Sequence, residues 1–174
     1  MAVDAFIWFE QPGAGTAPQG ETQDATYQPK GAFEIKDFSF DIENPTTIGS
    51  ASGGAGAGKA KFNEFSITKT TDKASPLFFQ NCVAGVHYGK VTLEMRKAGG
   101  DAESAGKKGF LKYTFGTVFT TKVEWSGPGD EAPEEKISFV YGTLQIEYTP
   151  QTSAGTAGTT VPAGWSQITN KKFP

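Results

Sequence analysis

A glycine-rich stretch brings this chain close to one known chemical motif. Gly53, Gly58 and Lys59 have the spacing of a phosphate-binding loop, in which four residues separate the first glycine from a Gly-Lys pair. The motif continues with Ser or Thr, whose hydroxyl binds the magnesium ion, but this chain has Ala60 there. A phosphate-binding loop also opens a helix, whereas residues 61–67 carry two Phe and an Ile and are typical of a strand. The sequence therefore argues against a nucleotide site.

Residues that could act as nucleophiles or metal ligands lack the partners that such chemistry requires. His87 is the only histidine and Cys82 the only cysteine. A catalytic triad or a zinc site needs several such side chains together, and these two are five residues apart across the expected end of a helix. We interpret both as structural and predict no enzymatic activity, no cofactor and no metal ion. A hydrolase using the Cys–His pair or the phosphate-type loop is the competing enzyme hypothesis. Two charged clusters are interpreted as solvated surface: Glu131, Glu134 and Glu135, and Lys69, Asp72 and Lys73.

Length and composition limit the class of protein. A chain of 174 residues is expected to form one domain, placed at 1–174, with a core of its own. The formal net charge of -3 provides no basic surface for nucleic acid. A single cysteine excludes an internal disulfide. Residues 1–9 lack the basic segment of a signal peptide, and no apolar run approaches the roughly 20 residues of a membrane helix.

The hydrophobic pattern is that of a β protein. Fourteen Phe against two Met favour a sheet over a helical bundle. Residues 3–9 are apolar on both faces, as expected for a strand covered by a helix. Phe38 and Phe40 share one face of another strand, and the apolar face of 137–148 changes at Tyr141–Gly142, which predicts a bulge. About seven strands are expected, among them 3–9, 33–42, 62–68, 91–96, 110–119 and 137–148.

One short helix is predicted over 76–84. Ser75 is a residue type that caps helices, Pro76 suits the first turn, and Gly85 can take the left-handed conformation that ends a helix. A helix this short needs tertiary packing to be stable. Its apolar residues spread wider than one stripe, so we expect only some of them to reach the core, and we expect Cys82 to be buried. The apolar residues in question are Leu77, Phe78 and Val83.

Two long polar segments complete the chain. Residues 44–59 are predicted to form a long, flexible, Gly-rich extended loop between two strands, and 151–164 a Ser/Thr/Gly-rich C-terminal segment. The expected fold class is mainly all-β. We predict a compact antiparallel β-barrel or sandwich of two sheets, with one short α-helix packed at its side and the Gly-rich loop extending from it.

The order of these pieces resembles the hemolysin-coregulated protein (Hcp) family, the tube subunits of bacterial type VI secretion systems. The resemblance covers nearly the whole chain and rests on several short motifs in sequence order. They are 2–7, 20–24, 38–40 where the family often has Trp-Ser-Trp, 53–59, 66–69, 72–76, 96–100, 145–151 and 164–165. The chain departs from the family in residues 11–19 and 25–30, which are longer, and in Trp8, where a polar residue is common.

The resemblance implies a function that the residues alone do not. It implies homohexameric rings that stack into a tube of the phage-tail kind, inside a contractile sheath and capped by a valine-glycine-repeat spike protein. Effector proteins would be carried in the lumen. The subunit would assemble in the bacterial cytoplasm and then be secreted without a signal peptide. Neither nucleic acid nor membrane insertion is expected. A monomeric β-sandwich that binds a ligand is the alternative.

Two sets of residues are predicted to serve assembly. In the family, the loop that corresponds to 44–59 reaches a neighbouring subunit. The predicted intersubunit loop comprises Asn44, Pro45, Thr46, Thr47, Ile48, Gly49, Gly53, Gly54, Gly56, Gly58 and Lys59. One half-buried strand has a polar face, which is the candidate lumen-facing set and consists of Thr92, Glu94 and Arg96. The alternative is that this set faces outward, toward the sheath.

Overall fold

A computed structural model describes residues 3–49, 54–56, 58–97, 109–127, 132–152 and 156–174. These residues form thirteen β-strands, one α-helix and one 3-10 turn at Gln28–Lys30. The strands are β1 (Val3–Pro12), β2 (Phe33–Glu34), β3 (Asp37–Ser39), β4 (Ile42–Glu43), β5 (Thr47–Gly49), β6 (Gly54–Gly56), β7 (Lys61–Phe62), β8 (Phe65–Thr70), β9 (His87–Lys97), β10 (Leu111–Ser126), β11 (Glu134–Tyr148), β12 (Val161–Ser166) and β13 (Lys171–Phe173). The helix, α1 (Ser75–Ala84), lies between β8 and β9. Nowhere in the described part of the chain is a helix long and apolar enough to cross a membrane.

Nine strands form one antiparallel sheet in the order β2-β1-β9-β10-β11-β12-β13, with β8 and β3 joined to it beside β11. Strand β11 has different neighbours along its length, because residues 134–139 pair with β8 and residues 143–148 pair with β12. Segment 33–39 pairs with β1 through β2 and with β8 through β3, so it bridges two edges of the sheet. The predicted antiparallel sandwich with a helix at its side is confirmed, although its ladders do not close into an uninterrupted barrel.

The core lies between the two layers of this sandwich and is largely aromatic. The ring of Phe65 on β8 stacks on Phe115 of β10, with centroids 4.1 Å apart, and on Phe139 of β11 at 4.7 Å. Phe78 joins α1 to this core, since its ring lies 5.3 Å from that of Phe9 on β1. Other buried members are Ile7, Phe33, Ile67, Tyr88, Val91, Leu93, Val118, Ile137, Tyr141 and Leu144. Both layers and the helix therefore share one core, which fixes their relative positions.

A row of four residues marks a bend across the central strands. The paired residues on either side align Gln11 of β1 with Gly89 of β9, and align Gly89 in turn with Thr117 of β10 and Gly142 of β11. Gln11 and Thr117 have φ angles of 54° and 51°. This left-handed conformation costs a residue with a side chain about 1–2 kcal/mol. Across the row β9, β10 and β11 change the face that they turn to the core, so these long strands can serve both layers.

The change of core face predicted at Tyr141–Gly142 is confirmed, but the predicted bulge is wrong. Tyr141 and Leu144 both belong to the core although they differ in parity. The pairing of β10 with β11 keeps one register on either side of Gly142 and shifts instead within 120–122. The left-handed Thr117 on the facing strand marks the point where the face changes, and no residue is inserted there.

The outer face of β1 is covered by a loop, not by the helix that its two apolar faces predicted. Phe6 stacks on Tyr27 with nearly parallel rings 4.0 Å apart. Nζ of Lys30 lies 4.3 Å from the ring centroid of Trp8. These contacts come from the loop around the 3-10 turn, and Phe6, Trp8 and Tyr27 are all buried. Stacking and cation–π contacts from two side chains thus replace a helix.

Helix α1 ends as predicted but begins differently. Gly85 follows it in the left-handed conformation, with φ of 65°. The predicted cap, Ser75, is already the first helical residue, and Ala74 holds the capping position without a side-chain hydrogen bond. The Ser75 hydroxyl instead donates to Glu135 at 2.8 Å. The hydrogen bond from Ser75 to Glu135 of β11 therefore replaces the N-cap that the sequence predicted.

The two sides of α1 have different surroundings, as expected. Phe78 is fully buried and Leu77 half-buried, whereas Val83 is 70% exposed. The expectation that Cys82 is buried is wrong, because its side chain is only half-buried. Asn81 takes the buried place in the last turn, where it donates to the Tyr88 hydroxyl at 2.9 Å.

Candidate assembly surfaces

The described residues between 42 and 62 form an arm whose strands pair with each other and not with the main sheet. In its β4–β7 ladder Ile42 lies opposite Phe62, and in its β5–β6 ladder residues 47–49 pair with 54–56. Gly58 approaches Pro45 closely, since a Cβ on it would come within 2.4 Å of the Pro45 carbonyl oxygen. The described side chains from 42 to 47 are exposed. The arm therefore presents an elongated surface that the core does not use.

Residues 44–59 were predicted to form a flexible extended loop, whereas the structure shows that part of this segment forms paired strands. Of the predicted intersubunit residues, Thr47, Ile48 and Gly49 belong to β5, and Gly54 and Gly56 to β6. Paired strands satisfy backbone hydrogen bonds that an irregular loop leaves to water. The remaining residues of the set flank these ladders, except Gly53, which lies outside the described residues. After Lys59 the chain enters β7 and not a helix, as expected if the motif is not a nucleotide site.

The candidate lumen-facing set lies on the outer face of β9, partly beneath the loop around Tyr27. Thr92 is only 4% exposed, so it has little access to any surface that could meet cargo. Arg96 is enclosed, because its guanidinium lies 4.9 Å from the ring centroid of Phe6 and is paired with Asp24. Glu94 is also half-buried. Only Glu94 and Arg96 therefore keep any access to solvent.

The Arg96–Asp24 pair fastens this loop to the sheet. Burial by itself raises the pKa of the Asp24 carboxyl, but the hydrogen bond and charge of Arg96, together with backbone hydrogen bonds, outweigh burial and leave that pKa below its ordinary value. Backbone N–H groups of Thr26 and Tyr27 also donate to Asp24. The carboxylate is thus ionised at neutral pH and holds the covering loop in place.

A second polar face, which the sequence reasoning missed, lies across β3, β8 and β11. Ser39, Ser66 and Ser138 are aligned across the three strands, and Oγ of Ser66 is 2.9 Å from Oγ of Ser138. The neighbouring row is Asp37, Thr68 and Lys136. We call these six residues the serine face. The alternation of Ser66 and Thr68 with core residues was visible in the sequence, but the alignment of three distant segments was not.

The charged residues around the start of α1 form a buried network, not the predicted solvated surface. Nζ of Lys69 lies 2.5 Å from Oε1 of Glu135 and 2.9 Å from Oδ1 of Asp72. Ser75 and the Trp125 indole N–H donate to the same Glu135 carboxylate at 2.8 and 3.0 Å. The Lys69 and Glu135 side chains are 1% and 0% exposed. Pairing and hydrogen bonds offset the large cost of removing these charges from water.

Other charges of the two clusters agree with the prediction. Glu134 is 41% exposed and pairs at 2.5 Å with Lys36, which is 44% exposed. Lys73 is exposed. Glu131 lies outside the described residues.

The cysteine and the histidine lie in different surroundings. The His87 ring packs 5.4 Å from the ring of Phe119, whereas Cys82 lies on the last turn of α1. Within the described ranges, no group of three or more His, Cys, Asp and Glu residues could hold a metal ion. His87 is exposed, and its ring contact is with a partly exposed Phe119.

Comparison with known proteins places this fold in a family. The sequence model described as "Type VI secretion system effector, Hcp" matches residues 6–148. This chain belongs to the Hcp family. "Protein hcp1" of Pseudomonas aeruginosa is 31% identical over 110 residues, which are 62% of this chain and 65% of that protein. The match thus spans slightly less than two thirds of the length of that curated relative.

Solved structures support the same assignment. "Structure of a type six secretion system protein" is 31% identical, with a TM-score of 0.84, and the match covers 99% of this chain and 100% of that one. Hcp1 from Salmonella typhimurium is 27% identical, with a TM-score of 0.74 and coverage of 99% and 100%. The predicted resemblance is therefore confirmed over nearly the whole length of the chain.

This Hcp-family chain also carries an exposed aromatic cluster that sequence reasoning did not locate. Phe79 and Val83 of α1 are 52% and 70% exposed, and Trp125 at the end of β10 is 52% exposed. The rings of Phe79 and Trp125 are 6.3 Å apart. We call Phe79, Val83 and Trp125 the aromatic knob.

A groove lies between the base of the arm and strands β11 and β12. It has a volume of about 720 Å³. Its apolar walls include Ile42 and Phe62 of the arm, Leu144 and Ile146 of β11, and Trp165 of β12. We call it the arm groove. It depends on the pairing of β11 with β12, a strand that begins within the predicted Ser/Thr/Gly-rich segment 151–164.

Proposed function

We propose that this chain is a non-enzymatic tube subunit of a type VI secretion system. It forms homohexameric rings that stack into the inner tube and carry effector proteins in the lumen. The observation that carries the proposal is the match to the Hcp family over residues 6–148. Its partners are further copies of itself, the contractile sheath, the valine-glycine-repeat spike protein and the effectors. It assembles in the bacterial cytoplasm and is secreted on sheath contraction.

The arm supports assembly because its order has to be stabilised by something beyond the core. Glycine loses more conformational freedom on ordering than any other residue, and residues 49–58 contain five glycines. The described side chains at 42–47 are exposed in the single chain, so they gain little from burial there. Contacts with a neighbouring subunit would offset this entropy cost. We therefore assign residues 44–59 to a subunit interface.

The serine face supports a lumen lining better than the outer face of β9. Ser39, Ser66 and Thr68 are short and hydroxylated, so they offer hydrogen bonds to passing cargo, and the exposed Asp37 and Lys136 beside them carry opposite charges. Glu94 and Arg96 are partly covered by the loop around Tyr27. Cargo contact on the serine face is weak and spread over many residues. The face carrying Glu94 and Arg96 is the competing lining.

A matched pair of labels separates the two faces. Ser39→Cys and Glu94→Cys are each made in a Cys82→Ala background and coupled to the same bulky polar maleimide after assembly. The label at position 39 is expected to abolish protection of lumen cargo from protease, and the label at 94 to leave it intact. The reverse pattern assigns the lumen to the face carrying Glu94.

Electron microscopy tests the proposed architecture itself. Negatively stained particles are expected to be rings with six-fold symmetry and an open centre. The competing function is a monomeric ligand-binding sandwich, which the arm groove favours because its volume is typical of small-molecule sites. Single compact particles without rings would support that alternative.

A further inference from the structure

The aromatic knob and the arm groove are two apolar surfaces that a ring subunit has still to cover. Isolated exposed apolar residues are ordinary, but contiguous ones mark interaction sites. Phe79 and Trp125 are in ring contact and each is about half exposed. In the groove Trp165 and Ile42 are 37% and 44% exposed. One surface projects and the other is recessed.

The knob has the properties of an energetic centre of an interface. The Trp125 indole N–H donates to Oε2 of Glu135 at 3.0 Å, and Glu135 is itself held by Lys69. The exposed indole is therefore oriented before any partner arrives, which lowers the entropy cost of binding. Tryptophan is also the residue type most enriched among interface residues of high binding energy.

The positions of the two surfaces exclude closure within one copy. Trp125 pairs with Glu135 near the start of β11, whereas the groove is lined by Leu144 and Ile146. Nine or more residues of strand separate them, which corresponds to about 30 Å at the usual rise per residue. A knob therefore has to find the groove of a different molecule.

We infer that the aromatic knob of one copy seats in the arm groove of a second copy. This inference rests on the proposed homo-oligomer and assigns two of its contact surfaces. Head-to-tail assembly requires two different, complementary patches on every subunit, and the knob and groove supply one of each. The groove volume of about 720 Å³ is sufficient for a few large side chains. Because the arm forms one wall of the groove, arm and knob would act in the same contact.

Disulfide trapping tests this contact. Val83→Cys and Ala163→Cys, a knob residue and a groove residue, are combined in a Cys82→Ala background and oxidised after assembly. Covalent species larger than a dimer are expected on non-reducing gels, since each copy carries both halves of the contact. The control combines Val83→Cys with Val3→Cys, which is 44% exposed but outside the groove, and is expected to stay monomeric on the same gels.

A second measurement does not depend on cross-linking. Phe79→Ser with Val83→Ser is expected to raise the protein concentration needed for half assembly at least tenfold while leaving the urea midpoint of the dissociated subunit unchanged. Val3→Ser is the control and is expected to leave assembly unchanged. Hexamers without any knob–groove disulfide would overturn this contact while leaving the ring proposal intact. A monomeric parent protein overturns both. Saturable binding of an apolar dye in the groove of intact rings assigns the groove to a small molecule and overturns the contact as well.

Discussion

Lys69 and Glu135 face each other across the paired strands β8 and β11, with Nζ 2.5 Å from Oε1 and both side chains almost inaccessible to water. Two further contacts reach the same carboxylate, from Ser75 of α1 and Trp125 of β10. One buried charge pair thus connects the helix to three strands. It also orients Trp125 in the aromatic knob.

Removing one partner of this pair should destabilise the fold strongly. Glu135→Gln leaves the Lys69 ammonium buried without its main counter-charge, and breaking a buried pair costs about 3–5 kcal/mol. The control is Glu134→Gln, whose pair with Lys36 is exposed and worth at most about 1 kcal/mol. Urea unfolding at one fixed protein concentration measures both. Equal losses in the two variants would show that the Lys69–Glu135 pair is not the buried anchor.

The sequence predicted the layers of the fold better than it predicted this network. Alternation located β9 and β11, because strands half-buried against a core repeat every two residues, and β8 and β10 were also predicted as strands. Lys69 and Glu135 lie on the core side of their strands, but their neighbours in sequence are polar, which indicates a surface position. Their burial depends on Phe33 and Phe78, whose rings lie 5.2 and 5.6 Å from Nζ of Lys69. Those rings come from distant segments that local pattern cannot place.

The sequence likewise predicted some of the assembly surfaces and not others. The arm was found because sixteen residues of Gly-rich polar chain interrupt two strands. The serine face and the arm groove depend on which strands are neighbours, and β12 begins within 151–164, a segment that the sequence marks only by its Ser/Thr/Gly-rich composition. The sequence did not predict the burial of Thr92, because Thr92 alternates with apolar residues as a surface residue does. The loop that lies over the outer face of β9 comes from a segment with no periodicity.

The end of helix α1 should depend on glycine for conformation alone. Gly85 has φ of 65° and no heavy atom within 4 Å of where a Cβ would stand. Gly85→Ala is therefore expected to cost about 1 kcal/mol, the penalty of the left-handed region, with no steric contribution. Gly85→Asn should cost less, since asparagine tolerates this region. Urea midpoints would contradict the assignment if both variants matched the parent protein.

Tyr141 should make the fold sensitive to high pH. Burial, with a smaller effect of the Asp41 charge, raises the pKa of its phenol from 10.0 to about 12. The unfolded chain therefore loses this proton first, so the stability that Tyr141 contributes is complete below pH 10 and falls as pH rises toward 12. Tyr141→Phe should reduce the loss of unfolding free energy between pH 10 and 11.5. An unchanged loss in the variant would exclude Tyr141 as its source.

At neutral pH the same substitution should cost little. The Tyr141 hydroxyl is buried and has no hydrogen-bond partner among the described residues. Removing an unsatisfied buried hydroxyl is expected to be neutral or to stabilise the protein by up to about 1 kcal/mol. Urea unfolding at pH 7 measures this, and a loss above that size would indicate that the hydroxyl is satisfied by water.

Shortening the arm should separate folding from assembly. Replacing residues 49–58 with a two-residue turn removes β6 and the glycines but leaves the main sheet untouched. The β signal in circular dichroism should persist while rings dissociate at concentrations where the parent protein is assembled. A Gly-Ser segment of the original length distinguishes loss of arm sequence from loss of arm length. Normal rings from the shortened chain would exclude the arm as an interface.

The most direct test of the central claim is native mass spectrometry of the parent chain at micromolar concentration. A dominant species with six times the subunit mass of 18.5 kDa is expected, together with multiples of that species if rings stack. A dominant monomer or an isologous dimer under the same conditions would contradict the proposal that this chain is a tube subunit.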